Sequence, residues 1–222
     1  MLFITGSDTG VGKTLLTAML LRHLRQRGGH ALAIKPFCSG GRGDVTLLHT
    51  LQDQELTVSE VNPFYFREPL AALVAARKQH RSIRLQEVLQ RIFQIAGRCE
   101  FLLIEGSGGL LVPLGEGYSV ADLIAKLNCE ILVVARNQLG TINHTLLTVR
   151  YLQHIGIQKV KVVLMSMRRT DASSDSNAST LAELLGQIPL ISFPYLGANP
   201  MRLEALKKNA KKIKKPLAQI LA

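Results

Sequence analysis

The chain has 222 residues, 47% of them hydrophobic, and a mean hydropathy of +0.17, enough apolar material for the core of one large α/β domain. No run approaches the roughly eighteen apolar residues of a membrane span, so no membrane partner is expected, and because a strand is read from the first residues no basic and apolar leader is expected either. The formal charge of +11 raises nucleic acid as a partner, but six lysines with no accompanying acid lie in residues 207–222, and setting them aside leaves +5. That concentration reads as a solvated basic helix or tail over about residues 202–222, so no nucleic-acid partner is expected either. Cys38, Cys99 and Cys129 are odd in number and far apart, which excludes a disulfide framework or a CxxC metal site and points to a reducing, cytoplasmic setting.

Leu2-Phe3-Ile4-Thr5 is a short apolar strand that runs into Gly6-Ser7-Asp8-Thr9-Gly10-Val11-Gly12-Lys13-Thr14, and Leu15 to Leu21 continues as a helix. Strand, glycine-rich turn, Gly-Lys-Thr and helix is the context of a P-loop, with Ser7 where the strict pattern has glycine. Glycines let successive backbone N–H groups curl around a phosphate, and the following helix turns its positive end toward the same anion. Asp8, Thr9, Gly10, Val11, Gly12, Lys13 and Thr14 are therefore nucleotide-binding candidates, with Lys13 reaching the β- and γ-phosphates and the Thr14 hydroxyl facing Mg²⁺.

After the Gly28-Gly29 stop, Ala31-Leu32-Ala33-Ile34 is a second buried strand, which Pro36 ends so that Lys35 lies at its C-terminal edge. In open α/β sheets that edge lines the ligand crevice. Phe37 to Asp44 reads as a flexible glycine-rich loop, Val45 to Leu51 as a helix, and Val61 to Pro69 as a connecting segment. Helices are expected over Leu70–Lys78 and over Leu85–Ala96, where the apolar residues share one face.

Phe101-Leu102-Leu103-Ile104 is a buried strand ending in Glu105, the shape of a Walker B element, and Gly106-Ser107-Gly108-Gly109 after it suggests close backbone approach to something bound. A helix over Val120–Leu127, a strand over Ile131–Ala135 and a helix from Thr141 to about Ile155 follow. Next come a strand over Val160–Met165, a polar, mobile stretch over Thr170–Asn177, a helix over Leu181–Leu185 and a strand over Ile188–Phe193. Alternating strands and helices without a repeat or linker predict one α/β domain over residues 1–222. Its architecture is a doubly wound, mainly parallel sheet with helices on both faces, of the P-loop NTPase type.

A generic P-loop NTPase does not require a second lysine at a strand end followed by Pro36 and a serine loop. With Lys35-Pro36, Ser39-Gly40, Asn62-Pro63, Glu105-Gly106-Ser107-Gly108-Gly109, Pro113-Leu114, Leu139-Gly140, Ile142-Asn143-His144, Pro194-Tyr195-Leu196 and Asn199-Pro200, the chain resembles the dethiobiotin synthetases. The resemblance spans nearly the whole chain in the family's order. It implies a cytoplasmic homodimeric ligase that uses ATP, Mg²⁺ and CO₂ (or bicarbonate) to close the ureido ring of 7,8-diaminopelargonate. One amine takes up CO₂ as a carbamate, a carbamate oxygen attacks the γ-phosphate, and the second amine displaces phosphate from the mixed anhydride.

The same resemblance implies roles for single residues. Lys13 and Lys35 hold the transferring phosphoryl group and the carbamate oxygens, and Ser39 hydrogen-bonds the carbamate. Thr14, Asp44 and Glu105 ligate Mg²⁺, while Gly108 and Gly109 with Thr141 and Asn143 receive the substrate carboxylate. Ser166 stands at the adenine-contacting position, where the family usually has asparagine. Two more departures are a short loop from Gly40 to Asp44 and Ala198 in place of an acid. A chromosome-partitioning ATPase or an amide-forming ATPase domain is the alternative. The first carries an extra lysine near the start of its P-loop, where Ser7-Asp8 stand here, and the second is usually fused to a glutaminase.

Overall fold

The computed structural model describes residues 1–222. The first half runs β1 (Leu2–Gly6), α1 (Lys13–Gln26), β2 (Ala31–Ile34), β3 (Phe37–Ser39), α2 (Gly43–Leu51), α3 (Val58–Val61), β4 (Phe64–Phe66), α4 (Ala72–Lys78) and α5 (Leu85–Ala96). It continues through β5 (Phe101–Glu105), β6 (Pro113–Gly115), β7 (Tyr118–Ser119), α6 (Val120–Leu127), β8 (Glu130–Arg136), α7 (Thr141–His154) and β9 (Val160–Met165). The last elements are α8 (Ser174–Leu185), β10 (Leu190–Phe193), α9 (Leu203–Asn209) and α10 (Lys214–Leu221).

Six strands form a parallel sheet in the order β10-β9-β8-β1-β5-β2. All five residues of β1 are buried, as are the central residues of β5 and β8, because a parallel sheet is covered on both faces. The chain moves outward from β1 to β2, then back through β5 and across to β8, β9 and β10. Right-handed crossovers in opposite directions must put their helices on opposite faces. Accordingly α1 packs with α2 and α10, whereas α5 packs with α6 and α7 with α8. The winding reverses beside β1, which opens a crevice at the carboxyl ends of β1, β5 and β2.

Two stretches expected to be irregular, and the segment expected as a solvated basic helix or tail, are ordered by specific contacts. Phe37–Ser39, read as flexible loop, pairs parallel with Phe64–Phe66 of the expected connecting segment, and the Phe37 and Phe64 rings stack with centroids 4.9 Å apart. The polar stretch 170–177 holds the first turn of α8. Asp171 accepts hydrogen bonds from the Ser173 N–H at 2.9 Å and the Leu139 N–H at 2.9 Å, so its polar side chains tie down backbone. The C-terminal lysines decorate two helices whose Leu206, Ile213, Leu217 and Ile220 are buried, so this region is docked and is not a tail. No helix is long and apolar enough to cross a membrane.

Candidate active site

The turn between β1 and α1 takes its shape from Gly10 and Gly12, at φ of 70° and 108°. A side chain at either position would be strained, and at Gly12 it would press on Met165 of β9. α1 therefore starts at Lys13, with its first N–H groups directed into the crevice. The Lys13 ammonium donates to the Asp8 carbonyl at 3.0 Å and to the Gly108 carbonyl at 2.9 Å. Neither partner is a charge. Burial, opposed by Glu105 and reinforced by Lys35, lowers its pKa to about 8.

Glu105 ends β5 between the strand ends of β1 and β2, and its side chain is fully buried. Its Oε1 accepts from the Thr14 hydroxyl at 2.7 Å and from the Lys35 ammonium at 2.8 Å. Lys35 also pairs with Asp44, in the first turn of α2. Burial acts to lower the Lys35 pKa, but the charges of Glu105 and Asp44 overcome it and hold the ammonium above its ordinary value. Glu105 Oε2 is buried with no hydrogen-bond partner. An orphaned carboxylate oxygen beside a hydroxyl and a second carboxylate suits a hard cation, and Thr14, Asp44 and Glu105 together fit Mg²⁺. They do not make a closed cage, so most of the cation's ligands would come from phosphate and water.

These groups line one cleft of about 720 Å³. Its polar side holds Thr9, Gly10, Gly12, Lys13, Thr14, Lys35, Ser39, Asp44, Glu105 and Gly108. Leu70, Val112 and Met201 are among the apolar residues that line the same cleft. Polyphosphate-binding groups beside an apolar slot can hold a nucleotide tail and a partly alkyl substrate together.

A family model described as an AAA domain matches residues 1–193. The chain is 37% identical over 214 residues to the ATP-dependent dethiobiotin synthetase BioD of Bacillus licheniformis, covering 93% of this chain and 91% of that one. It is 41% identical over 200 residues to the ATP-dependent dethiobiotin synthetase BioD of an Anaeromyxobacter species, covering 88% and 90%. The chain belongs to the dethiobiotin synthetase family. A chain of the MinC:MinD cell division protein complex of Aquifex aeolicus superposes with a TM-score of 0.62 at 12% identity, over 99% of this chain and 95% of that one. A ParA family ATPase from Chlorobium tepidum gives 0.58 at 15%, over 98% and 95%. Those two likenesses concern the fold alone.

Not every predicted site residue of this synthetase-family chain reaches the cleft. Asp8 is exposed, and its Oδ1 accepts from the Thr9 N–H at 2.6 Å; Val11 is turned into the core. Gly109 lies just outside the lining, near the Gly6 carbonyl. Ser166 follows β9, where its N–H donates to the Phe193 carbonyl at 2.8 Å, outside the cleft. Thr141 is buried at the start of α7 and Asn143 is exposed on it, and neither lines the cleft of its own chain.

Two residues gain roles that the sequence reading had not given them. Ser107 donates to the Phe37 carbonyl at 2.6 Å, tying the loop after β5 to β3. Arg136, at the end of β8, grips the Gly10 carbonyl with Nε at 3.0 Å and with Nη2, fixing the P-loop from the far side. An arginine directly after the buried apolar run Ile131–Ala135, at the carboxyl end of its strand and so at the crevice edge, is the signal that could have found it.

Proposed function

We propose that this protein carries out the ATP- and Mg²⁺-dependent carboxylation and ring closure of 7,8-diaminopelargonate to dethiobiotin, working as a single synthetase unit over residues 1–222. The observation that carries the reading is Lys35, held between Glu105 and Asp44 at the mouth of a P-loop cleft. A simple nucleotide switch has no use for that second ammonium. A carbamate, which must be neutralised while it attacks a phosphate, has a direct one.

Lys13 meets the terminal phosphates, where its present carbonyl partners leave its charge unanswered. Lys35 and Ser39 orient the carbamate oxygens, and the apolar lining carries the alkyl chain. Thr14, Asp44 and Glu105 would hold Mg²⁺, which would supply neutralisation of phosphate charge. Positioning and charge stabilisation then account for the acceleration, with no covalent enzyme intermediate required. Incubation with diaminopelargonate, bicarbonate, Mg²⁺ and ATP should yield dethiobiotin by mass, together with ADP and phosphate. Lys35→Ala should bind ATP yet lose ring closure; near wild-type product formation by that variant would overturn the role given to Lys35.

The reading includes a homodimer in which Thr141 and Asn143 of one chain meet the substrate carboxylate, beside Gly108 and Gly109, of the other. Support comes from their absence from their own cleft and from Leu139 and Leu147, 80% and 61% exposed on the same segment. A helix N-terminus is a suitable carboxylate receptor. Mixing inactive Lys13→Ala and Asn143→Ala chains should restore about a quarter of sites after subunit exchange, because each mixed two-fold dimer has one intact site. Verified exchange without recovery excludes the shared site.

A further inference from the structure

A second cleft, of about 410 Å³, lies between the last turns of α1 and the start of α10. Arg22 is nine residues beyond Lys13, so this cleft sits about 14 Å along the helix from the P-loop. Burial of Ile213 and Leu217 against the body of the protein brings the lysine-rich chain onto the basic end of α1. Every ionisable group lining the cleft is consequently basic: Arg22, His23, Arg27, Lys211 and Lys214. None of the five takes part in an ion pair. Gathering like charges around a concave surface is unfavourable until an anion enters it.

The polar accounting points the same way. Arg22 Nε and His23 Nε2 are both buried without a hydrogen-bond partner. A guanidinium Nε can only donate, so Arg22 lacks an acceptor. Burial, with help from Arg27 and Lys214, pushes the His23 imidazole below its ordinary value, and an incoming anion would reverse that. The apolar residues lining the cleft are Met19, Ile213 and Leu217, which pack at its base between the basic side chains and are at most 2% exposed while it is empty. An apolar floor under unpaired cationic donors, in a volume of small-ligand size, defines the occupant's chemistry. None of these groups has a part in the reaction proposed above.

We propose that this cleft is a second binding site for a small amphipathic anion. Its carboxylate or phosphate lies between Arg22, His23 and Lys214, and its short apolar body rests on Met19 and Leu217. Met methyl and His ring NMR signals of the full chain, with the P-loop site filled by ADP and Mg²⁺, report on it directly. The probes are octanoate, inorganic phosphate and chloride at matched ionic strength. Octanoate should shift the Met19 and His23 signals saturably in the millimolar range or below, phosphate should do so more weakly, and chloride should not. Arg22→Gln with Lys214→Gln should weaken octanoate by about tenfold, the usual effect of losing a charge-assisted hydrogen bond. Absence of saturable shifts at Met19 and His23 in the wild-type chain overturns the site, whatever the variants do. Phosphate binding as tightly as octanoate overturns its amphipathic character, and displacement of octanoate by a short DNA duplex reassigns the surface to nucleic acid.

Discussion

Lys13 and Lys35 enter one cleft from opposite sides of Glu105, and their surroundings differ in kind. Lys13 is bonded to two carbonyls and its pKa is lowered to about 8. Lys35 lies between two carboxylates and is held above its ordinary value. Both are largely buried, so burial alone does not separate them; the partners do. The P-loop side is short of one negative charge, which a phosphate supplies. On the Lys35 side the one ammonium is already answered by two carboxylates, which leaves one negative charge in excess, and a divalent cation arriving at Glu105 and Asp44 must compete with the ammonium for the same oxygens.

The largest effect should come from the side with no internal counter-charge. Lys13→Ala removes the cation that meets the terminal phosphates, and turnover should fall by about 3–4 kcal/mol in transition-state stabilisation. Single-turnover assays at saturating nucleotide check it, and near-normal turnover would sink the P-loop role.

Lys35→Met breaks the other side differently, by leaving buried Glu105 and Asp44 to face one another unpaired. The metal-free protein should lose about 3 kcal/mol of stability, toward the low end for a broken buried pair because Asp44 is partly exposed. Mg²⁺ should stabilise this variant more than wild type, since the competing ammonium is gone. Thermal denaturation with and without Mg²⁺ decides it; equal Mg²⁺ responses would show that the lysine and the cation do not share these oxygens.

A pH experiment sharpens the contrast further. An unfolded lysine binds its proton up to its ordinary value of 10.5 but folded Lys13 only to about 8, so between those values the unfolded state holds more protons. The contribution of Lys13 to stability therefore rises with pH through that window in the nucleotide-free protein. Bound phosphate restores the proton, so nucleotide binding at pH 9 should take one up, and affinity should weaken by at most about 1.4 kcal/mol per pH unit above 8. Calorimetry of Mg-free ADP binding in buffers of different ionisation enthalpy measures the uptake, and none at pH 9 would contradict the lowered value.

The smallest effect is expected where charge is exposed. Changing Lys207, Lys208, Lys212 and Lys215 together to Gln should leave kcat and KM nearly unchanged, because exposed charges interact weakly through water and salt. A salt-sensitive affinity for DNA, lost in this variant, would favour a DNA-associated role.

The sheet and the P-loop were legible in the sequence because their signals are local. Leu2–Ile4, Ala31–Ile34, Phe101–Ile104 and Ile131–Ala135 are unbroken apolar runs, and the turn before Lys13 needs glycines that nothing else in the fold demands. Lys35 and Glu105 could be placed at strand ends because Pro36 and Gly106 stop the strands just beyond them. Strand pairing between Phe37–Ser39 and Phe64–Phe66 left no such trace, since each segment is three residues long and gains its partner only by closure of the intervening chain. The docking of the C-terminal helices was equally hidden. Six lysines dominate that sequence, while the residues that bury it, Leu206, Ile213, Leu217 and Ile220, are few and spread over two helices.

What the sequence determined by itself is the set of reactive groups and the ends of the strands that carry them, because residue type and chain-local backbone geometry are enough for both. Only the tertiary structure decided which charges neutralise one another. It brought Asp44 and Glu105 to Lys35, gave Lys13 nothing but carbonyls, and set Arg136 on the Gly10 carbonyl from 126 residues away. The physical reason is that charge interactions act through space over a few ångströms, and those distances exist only after the sheet has brought distant strand ends side by side.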